Sequence, residues 1–389
     1  MQATRSFDIV VFGATGFTGS LTAEYLARNA PVTLRWALAG RNTAKLEAVR
    51  ARLAAINPAC AKLDLLTADT GEPETLKKVA RSARCVITTV GPYILYGEPL
   101  VAACAEAGTD YVDLTGEPEF VDLMWLRYHE QAKASGARIV HCCGFDSIPH
   151  DLGAWFTVQQ LPQNSPITVE GFVRAGGTFS GGTFHSAVNA MGRAGKYLKT
   201  RKERIALEQR PANRRIGSTG GGVHKEFGDW AVPFPTIDPQ VVKRSAAALD
   251  RYGPDFKYGH YLLLKNLRSV AGLVAGVSGL FALAQTKLTR DWLLSKKNPG
   301  DGPTPEQREK AWFKVRFTGE ADGKRVVTQV SGGDPGYGET SKMLAESALC
   351  LAFDTLPKAG GQLTTAAAMG NALIERLQAK GIKFEVLEA

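Results

Sequence analysis

The stretch VVFGATGFTG, residues 10–19, sets Gly13, Gly16 and Gly19 three apart directly after a β-branched apolar run. Phe7–Phe12 (FDIVVF) is continuous and apolar, as expected for a parallel strand covered on both faces. From Phe17 to Asn29 the pattern turns helical, with Leu21, Tyr25 and Leu26 on one face. The tight turn between strand and helix needs residues that tolerate unusual dihedrals. It also lets a pyrophosphate reach the backbone N–H groups at the helix start. The spacing GxxGxxG varies the better-known dinucleotide-binding GxGxxG, and its strand–turn–helix setting gives it weight. Gly13, Thr15, Gly16, Phe17 and Gly19 are therefore the candidate cofactor contacts of this turn.

The next strand is read at Arg35–Ala39, followed by Gly40, Arg41 and Asn42. A site for NADH would carry Asp or Glu there, bonding the ribose 2′-OH. This chain offers a small residue and Arg41, whose guanidinium suits a 2′-phosphate, so the expected cofactor is NADPH. Asn42 and Lys45 lie in the same turn, and Lys45 adds charge. A third strand, Lys62–Leu66, ends near Asp69, placed to cap the next helix or to approach the adenine.

Strand four is read at Cys85–Val90 and ends in Gly91, Pro92 and Tyr93. A helix follows, with Pro99 in its first turn and Gly108 past its end. Strand five, Tyr111–Leu114, a helix from Pro118 to Ser135 and strand six, Arg138–His141, complete six strands alternating with helices. That is the pattern of a doubly wound α/β sheet, whose ligands sit outside the carboxyl ends of the strands. Val90, Gly91 and Pro92 then fall near the nicotinamide. After Gly153 the pattern changes. ITVEGFVRA (167–175) alternates, a glycine-rich turn leads to a helix from about Thr183, and 311–331 reads as a hairpin around Ala321–Gly323. The expected organisation is a nucleotide domain over 1–152, an inserted α+β domain over 153–338, and helices over 339–389 that return to the first domain.

The 389 residues carry 44% hydrophobic and 22% charged side chains, which excludes a disordered or low-complexity chain. Six cysteines show neither CxxC nor Cys/His ligand spacing, arguing for a reduced, cytoplasmic setting and against a structural zinc site. No secretory leader pattern precedes the first strand. Net charge is +9, and much of the excess lies in Arg193–Arg215. That run suits an anionic lipid surface, an acidic carrier protein or plain solvation; no nucleic-acid motif accompanies it. One segment stands apart: Ser269–Thr286, SVAGLVAGVSGLFALAQT, carries no charge, and Lys265, Arg268, Lys287 and Arg290 flank it. It is borderline for a bilayer span of about 20 residues and is rich in glycine. It suits a buried helix, a homodimer interface through Gly272 and Gly276, or a helix lying in an anionic membrane surface.

Together GATGFTG, LAGRN, VGPYILYGEPLVAACAEAGTDYVDLTGE, GFDSIPHDLG and GGQLTTAAAMGNAL resemble the saccharopine dehydrogenase-like superfamily over nearly the whole chain. The resemblance is closest to the trans-acting enoyl reductase branch, which also includes animal saccharopine dehydrogenase-like oxidoreductases. It implies an NADP-binding Rossmann domain closed by C-terminal helices, with a second domain inserted between. It implies reduction of an enoyl group on a polyketide or fatty-acyl chain in complex-lipid synthesis, and so a lipid-like or acyl-thioester substrate. The animal relatives associate with membranes and lipid droplets, which suggests a cytoplasmic protein peripheral at the inner face of the plasma membrane. Imine reduction of the saccharopine type, or NADP binding with little catalysis, are the alternative functions.

Hydride addition to an enoyl thioester needs a donor at the carbonyl oxygen and a proton source at the α-carbon. Tyr93 and Tyr96 lie just beyond strand four, and either phenol could serve. Asp146 and Ser147 precede Pro149 at a helix start, where capping and ligand contact can coexist. His150 in that helix and His185 in the second domain are the candidate imidazoles. Cys142 and Cys143 read as packing.

Overall fold

The computed structural model describes residues 5–176, 181–209, 211–296 and 303–389. The first sheet begins with β1 (Phe7–Phe12), β2 (Trp36–Gly40), β3 (Asp64–Thr67), β4 (Ala83–Thr88), β5 (Asp110–Val112) and β6 (Arg138–Val140). Ile9, Val10 and Val11 are fully buried, so both faces of β1 are covered, which is why the strand is apolar without alternation. Val10 lies opposite Ala37 on one side and Val86 on the other, all parallel. The order β6-β5-β4-β1-β2-β3 reverses direction between β1 and β4, which opens a crevice there.

Boundaries move slightly from the sequence reading. Lys62 belongs to a 3-10 turn, Pro58–Lys62, and Thr89 and Val90 leave the sheet to form the loop after β4. The helices Phe17–Asn29 and Pro118–Ser135 stand as read.

The second sheet is built from β7 (Ile167–Gly176), β8 (Arg215–Ser218), β9 (His224–Glu226), β10 (Asp229–Pro233), β11 (Asp255–Leu264), β12 (Trp312–Ala321) and β13 (Lys324–Gly332). It is mixed: β7 pairs β11 in parallel and β12 antiparallel, and the β12–β13 hairpin turns at Asp322 and Gly323 as expected. The glycine-rich turn expected before the helix at Thr183 lies partly outside the described residues; that helix runs Gly181–Gly192.

The C-terminal segment departs from its helical reading at Gly361–Leu363, whereas KFEVLE at 383–388, whose short pattern reads as strand-like, is a strand. Gly361–Leu363 (β14) pairs β6 and makes a seventh strand of the first sheet, while Lys383–Glu388 (β15) pairs β13 of the second. β14 is too short for any periodicity to appear in the sequence. Gly361 holds a positive φ of 106°, and its neighbours meet hydrogen-bond partners only in the fold, such as His129 Nδ1 accepting from the Gln362 N–H at 3.1 Å. Helix Gly338–Phe353 covers β4 and β5, and its buried Glu346 accepts from the Tyr25 hydroxyl at 2.7 Å.

Helix Ile148–Gln159 leaves β6 and crosses the expected boundary at 152–153 to lie on the second sheet. Gly153 makes the close approach possible, since any Cβ there would overlap the Phe317 ring. One turn on, the Thr157 and Thr328 hydroxyls meet at 2.6 Å. Asp151, fully buried, accepts from the Ser245 hydroxyl at 2.5 Å, the Thr365 hydroxyl at 2.7 Å and the Ala366 N–H at 2.8 Å. Asp151→Ala strands these buried donors and is expected to cost about 2–4 kcal/mol of stability, read as a lowered midpoint in denaturant unfolding.

Candidate active site at the carboxyl ends of the parallel strands

The glycine turn after β1 divides its work among three residues. Gly13 holds φ at 88°, and a Cβ there would stand 2.8 Å from Val90 Cγ2 in the loop after β4. Gly19 sits so close beneath the turn that a Cβ would run into the Gly13 carbonyl. Gly16 differs. It is exposed, its N–H donates to the Gly13 carbonyl at 2.9 Å, and a Cβ there would meet only that oxygen, at 3.3 Å. No side chain caps helix Phe17–Asn29 at Gly16, and its first turn holds no acid. Its uncapped amides thus face the crevice with the positive end of the helix dipole, as a pyrophosphate requires. Thr15 is exposed beside them.

Phe17 brings in a residue that sequence reading missed. Its ring meets the Tyr337 ring at 4.6 Å, and the Arg308 guanidinium lies 6.0 Å from its centroid. Arg308 Nε is buried and has no hydrogen-bond partner among the described residues. A cation is thus held against the phosphate turn from a part of the chain with no motif of its own.

At the end of β2, Arg41 is exposed and forms no ion pair among the described residues. Asn42 accepts the Lys45 N–H at 2.9 Å as the cap of helix Thr43–Ile56, and Asp69 accepts the Gly71 N–H at 2.8 Å. The Asn42 and Asp69 side chains thus make local turns and caps, whereas Arg41 and the exposed Lys45 leave two cations beside the crevice. The turn and these charges together fit a nucleotide carrying an extra phosphate.

The loops after β4, β5 and β6 form the other wall. Tyr93 is buried; its hydroxyl donates to the Thr88 carbonyl at 3.2 Å and accepts from the Leu114 N–H at 3.2 Å. Burial, with the nearby Asp113 carboxylate, pushes its phenol well above the usual range. Tyr93 is thereby a strut between loops, and the proposed donor role passes from it on physical grounds. Tyr96, three residues on, is 45% exposed. Glu117 accepts the Tyr93 and Ile94 N–H groups at 3.0 and 2.9 Å and the Ser186 hydroxyl at 3.0 Å. It thus ties the loop to the helix that carries the half-buried His185. Asp113 accepts from the Thr115 and Cys142 N–H groups and lies 2.6 Å from His141 Nδ1, which locks the ends of β5 and β6 together. Cys142 and Cys143 are buried, and burial pushes both thiols well up, in keeping with packing.

The turn after β6 is strained. Cys142 holds φ at 63° and Ser147 at 115°, the latter outside any ordinary well for a side chain. Between them Asp146 keeps contact with solvent while protein crowds its carboxyl. That crowding, with the Asp238 carboxylate nearby, pushes its pKa up to about 7. Gly116 gives the carboxyl its room, since a Cβ there would stand 2.9 Å from Asp146 Oδ2.

Residues 9–140 match the saccharopine dehydrogenase NADP binding domain. A Mycobacterium tuberculosis protein provisionally named a trans-acting enoyl reductase is 40% identical, with 99% of both chains covered. The chain belongs to this saccharopine dehydrogenase-like family. The trans-acting enoyl reductase of Mycobacterium ulcerans is 35% identical with 98% of both chains covered. Saccharopine dehydrogenase (L-Glu forming) of Saccharomyces cerevisiae shares the fold at a TM-score of 0.55, with 12% identity and coverage of 98% of this chain and all of that one. The family and its nucleotide domain make this an NADP-binding oxidoreductase.

Gly16→Val should fold normally yet lose NADPH binding, because its side chain projects where the pyrophosphate must approach. Gly19→Ala should instead lower thermal stability, because its Cβ strikes the Gly13 carbonyl. Calorimetric titration and thermal unfolding of the two variants separate the cases. Arg41→Ala should weaken NADPH by about 10- to 150-fold, or roughly 1.5–3 kcal/mol, and leave NADH affinity unchanged.

Proposed function

We propose that this protein uses NADPH to reduce the carbon–carbon double bond of an enoyl group on a lipid or polyketide acyl chain carried as a thioester. The observation that carries this reading is Asp146, a solvent-reached carboxyl held near neutral pKa at a strained strand end. The cofactor, when bound, supplies hydride to the β-carbon. Asp146 in its protonated form gives the proton to the α-carbon and is reprotonated from solvent, so that the two transfers together add one hydrogen to each carbon. Tyr96 is the exposed phenol available to steady the carbonyl oxygen, and His185, on the helix that Glu117 ties to this loop, is the imidazole available from the second domain. A cleft of about 210 Å³ passes from Ile94 and Leu95 to Arg193, Lys196 and Arg290. Its apolar start and basic end suit an acyl chain with an anionic carrier group.

A second proposal concerns place. Helix Leu267–Ala284 is long and apolar enough to cross a membrane, yet only Val270 and Ala284 are buried, which removes the buried-core alternative. With helix Lys287–Leu294 it presents Val274, Val277, Phe281, Leu288 and Trp292 to the outside. Lys265, Arg268 and Lys287 are exposed at its ends, whereas Arg290 donates to the Ala284 carbonyl at 3.3 Å. An anionic bilayer surface, the inner face of the plasma membrane in a cytoplasmic protein, satisfies both the apolar face and the basic rim.

Long-chain trans-2-enoyl thioesters should be consumed with NADPH oxidation, and mixtures of a 2-oxo acid with an amine should not; the reverse pattern rejects enoyl reduction in favour of imine chemistry. Because Asp146 must be protonated to act, kcat should fall as pH rises through about 7. Asp146→Asn should cut kcat by roughly 10²–10⁴ and abolish that limb. Gly116→Ala should lower kcat without lowering stability, since it displaces only the end of the Asp146 side chain. Wild type should sediment with anionic vesicles and be released by salt. Val274→Glu with Phe281→Glu, which leaves the packed Leu280 untouched, should not sediment. A wild type that dimerises through this face and ignores vesicles rejects the membrane proposal.

A further inference from the structure

Behind the strained turn lies a second group of ionisable side chains. His150 comes from the first turn of helix Ile148–Gln159, Asp238 from the start of helix Asp238–Ala248, and His260 from β11. All three are buried. His150 Nε2 stands 3.8 Å from Asp238 Oδ1, and His260 Nε2 stands 3.4 Å from Asp238 Oδ2. One donor atom from each residue falls within 4.8 Å of the others. The two rings meet edge to face at 5.0 Å.

Among the described residues no Lys or Arg pairs with Asp238; its remaining partners are the hydroxyls of Ser147, at 3.2 Å, and Thr236. A buried carboxylate without a cation is costly. His260 Nε2, the ring nitrogen that faces Asp238, has no hydrogen-bond partner among the described residues. Two imidazoles converging on one carboxylate make a donor set suited to a borderline divalent ion.

We propose that His150, Asp238 and His260 bind a divalent transition-metal ion, with zinc the best match. Zinc bonds to His nitrogen and carboxylate oxygen of about 2.0–2.2 Å put the ligand atoms of a tetrahedral site roughly 3.4 Å apart. The two contacts to the carboxylate, at 3.4 and 3.8 Å, lie near that spacing, and one ligand atom from each of the three residues falls within 4.8 Å of the others. Tyr258 lies with its hydroxyl 3.2 Å from His260 Nδ1. It can accept the Nδ1 proton and so leave Nε2 free to ligate, the outer-partner arrangement that metal-binding histidines use. The ion clamps the helix that bears the Asp146–Ser147 turn onto the second sheet, and it holds whether or not the enoyl reaction is the correct one.

The test uses full-length, untagged protein. Protein prepared in zinc-supplemented medium should retain about one zinc per chain through gel filtration, as structural and catalytic zinc sites do. Chelator-stripped protein should regain thermal stability saturably on adding zinc alone. His260→Gln and Asp238→Asn should each weaken zinc at least about 10-fold, whereas His224→Gln, outside the cluster, should bind as wild type does. X-ray absorption of zinc-loaded wild type, which requires no variant to fold, should report two imidazole ligands and no sulfur. Only trace zinc with no saturable stabilisation overturns the site, as does a first coordination sphere without imidazole, or His260→Gln binding zinc as tightly as wild type.

Discussion

The contact on which the rest of the molecule depends is the seating of helix Ile148–Gln159 against the second sheet at Gly153 and Phe317. The helix begins where β6 of the parallel sheet ends, so it carries the position of one sheet to the other. Packing at atomic contact tolerates no added methyl group there, because interiors have no slack to absorb it. Asp151, two residues earlier, fixes the same helix to the C-terminal segment through hydrogen bonds from Thr365 and Ala366, and to helix Asp238–Ala248 through one from Ser245. Asp146, Ser147 and His150 stand at the near end of this helix, so the chemistry and the joint between sheets share one rigid element.

The crevice is assembled from strand ends, as the reversal of order between β1 and β4 requires. Each loop is held by a buried carboxylate that accepts backbone amides: Asp113 behind β5 and Glu117 behind the turn after β4. Those carboxylates position rather than react. Asp146, exposed at the strained turn, is the carboxyl proposed for proton transfer.

Four arginines of the basic run Arg193–Arg215 are paired within the fold. Arg193 pairs with Glu119, Arg204 with Asp122 and Glu208, Arg214 with Asp250, and Arg215 with Asp255. Arg210 lies outside the described residues. The paired arginines weld helix Ala194–Leu207 to helix Pro118–Ser135, while Lys196, Lys199 and Lys202 stay exposed on its outer face. The apolar excess behaves in the opposite way: the segment whose composition suited a core helix lies outside the core.

The sequence alone determined the parallel sheet, the glycine turn, the place of Arg41 and the β12–β13 hairpin. Each is local: a strand, a turn and a helix start lie within a few residues, and their periods and turn chemistry are written consecutively. It also marked Asp146, because a helix start after a strand is legible, though it could not separate Asp146 from Tyr93. Only tertiary structure decided that Tyr93 is held between two backbone groups, that Gly361–Leu363 is a strand, and that Arg308 lies over Phe17. It alone brought together His150, Asp238 and His260. No ligand spacing announces that group, since its members come from two helices and a strand spread over more than a hundred residues. Hydrogen bonding, burial and charge compensation are set by what the folded chain places in contact, and for these residues every such neighbour is distant in sequence.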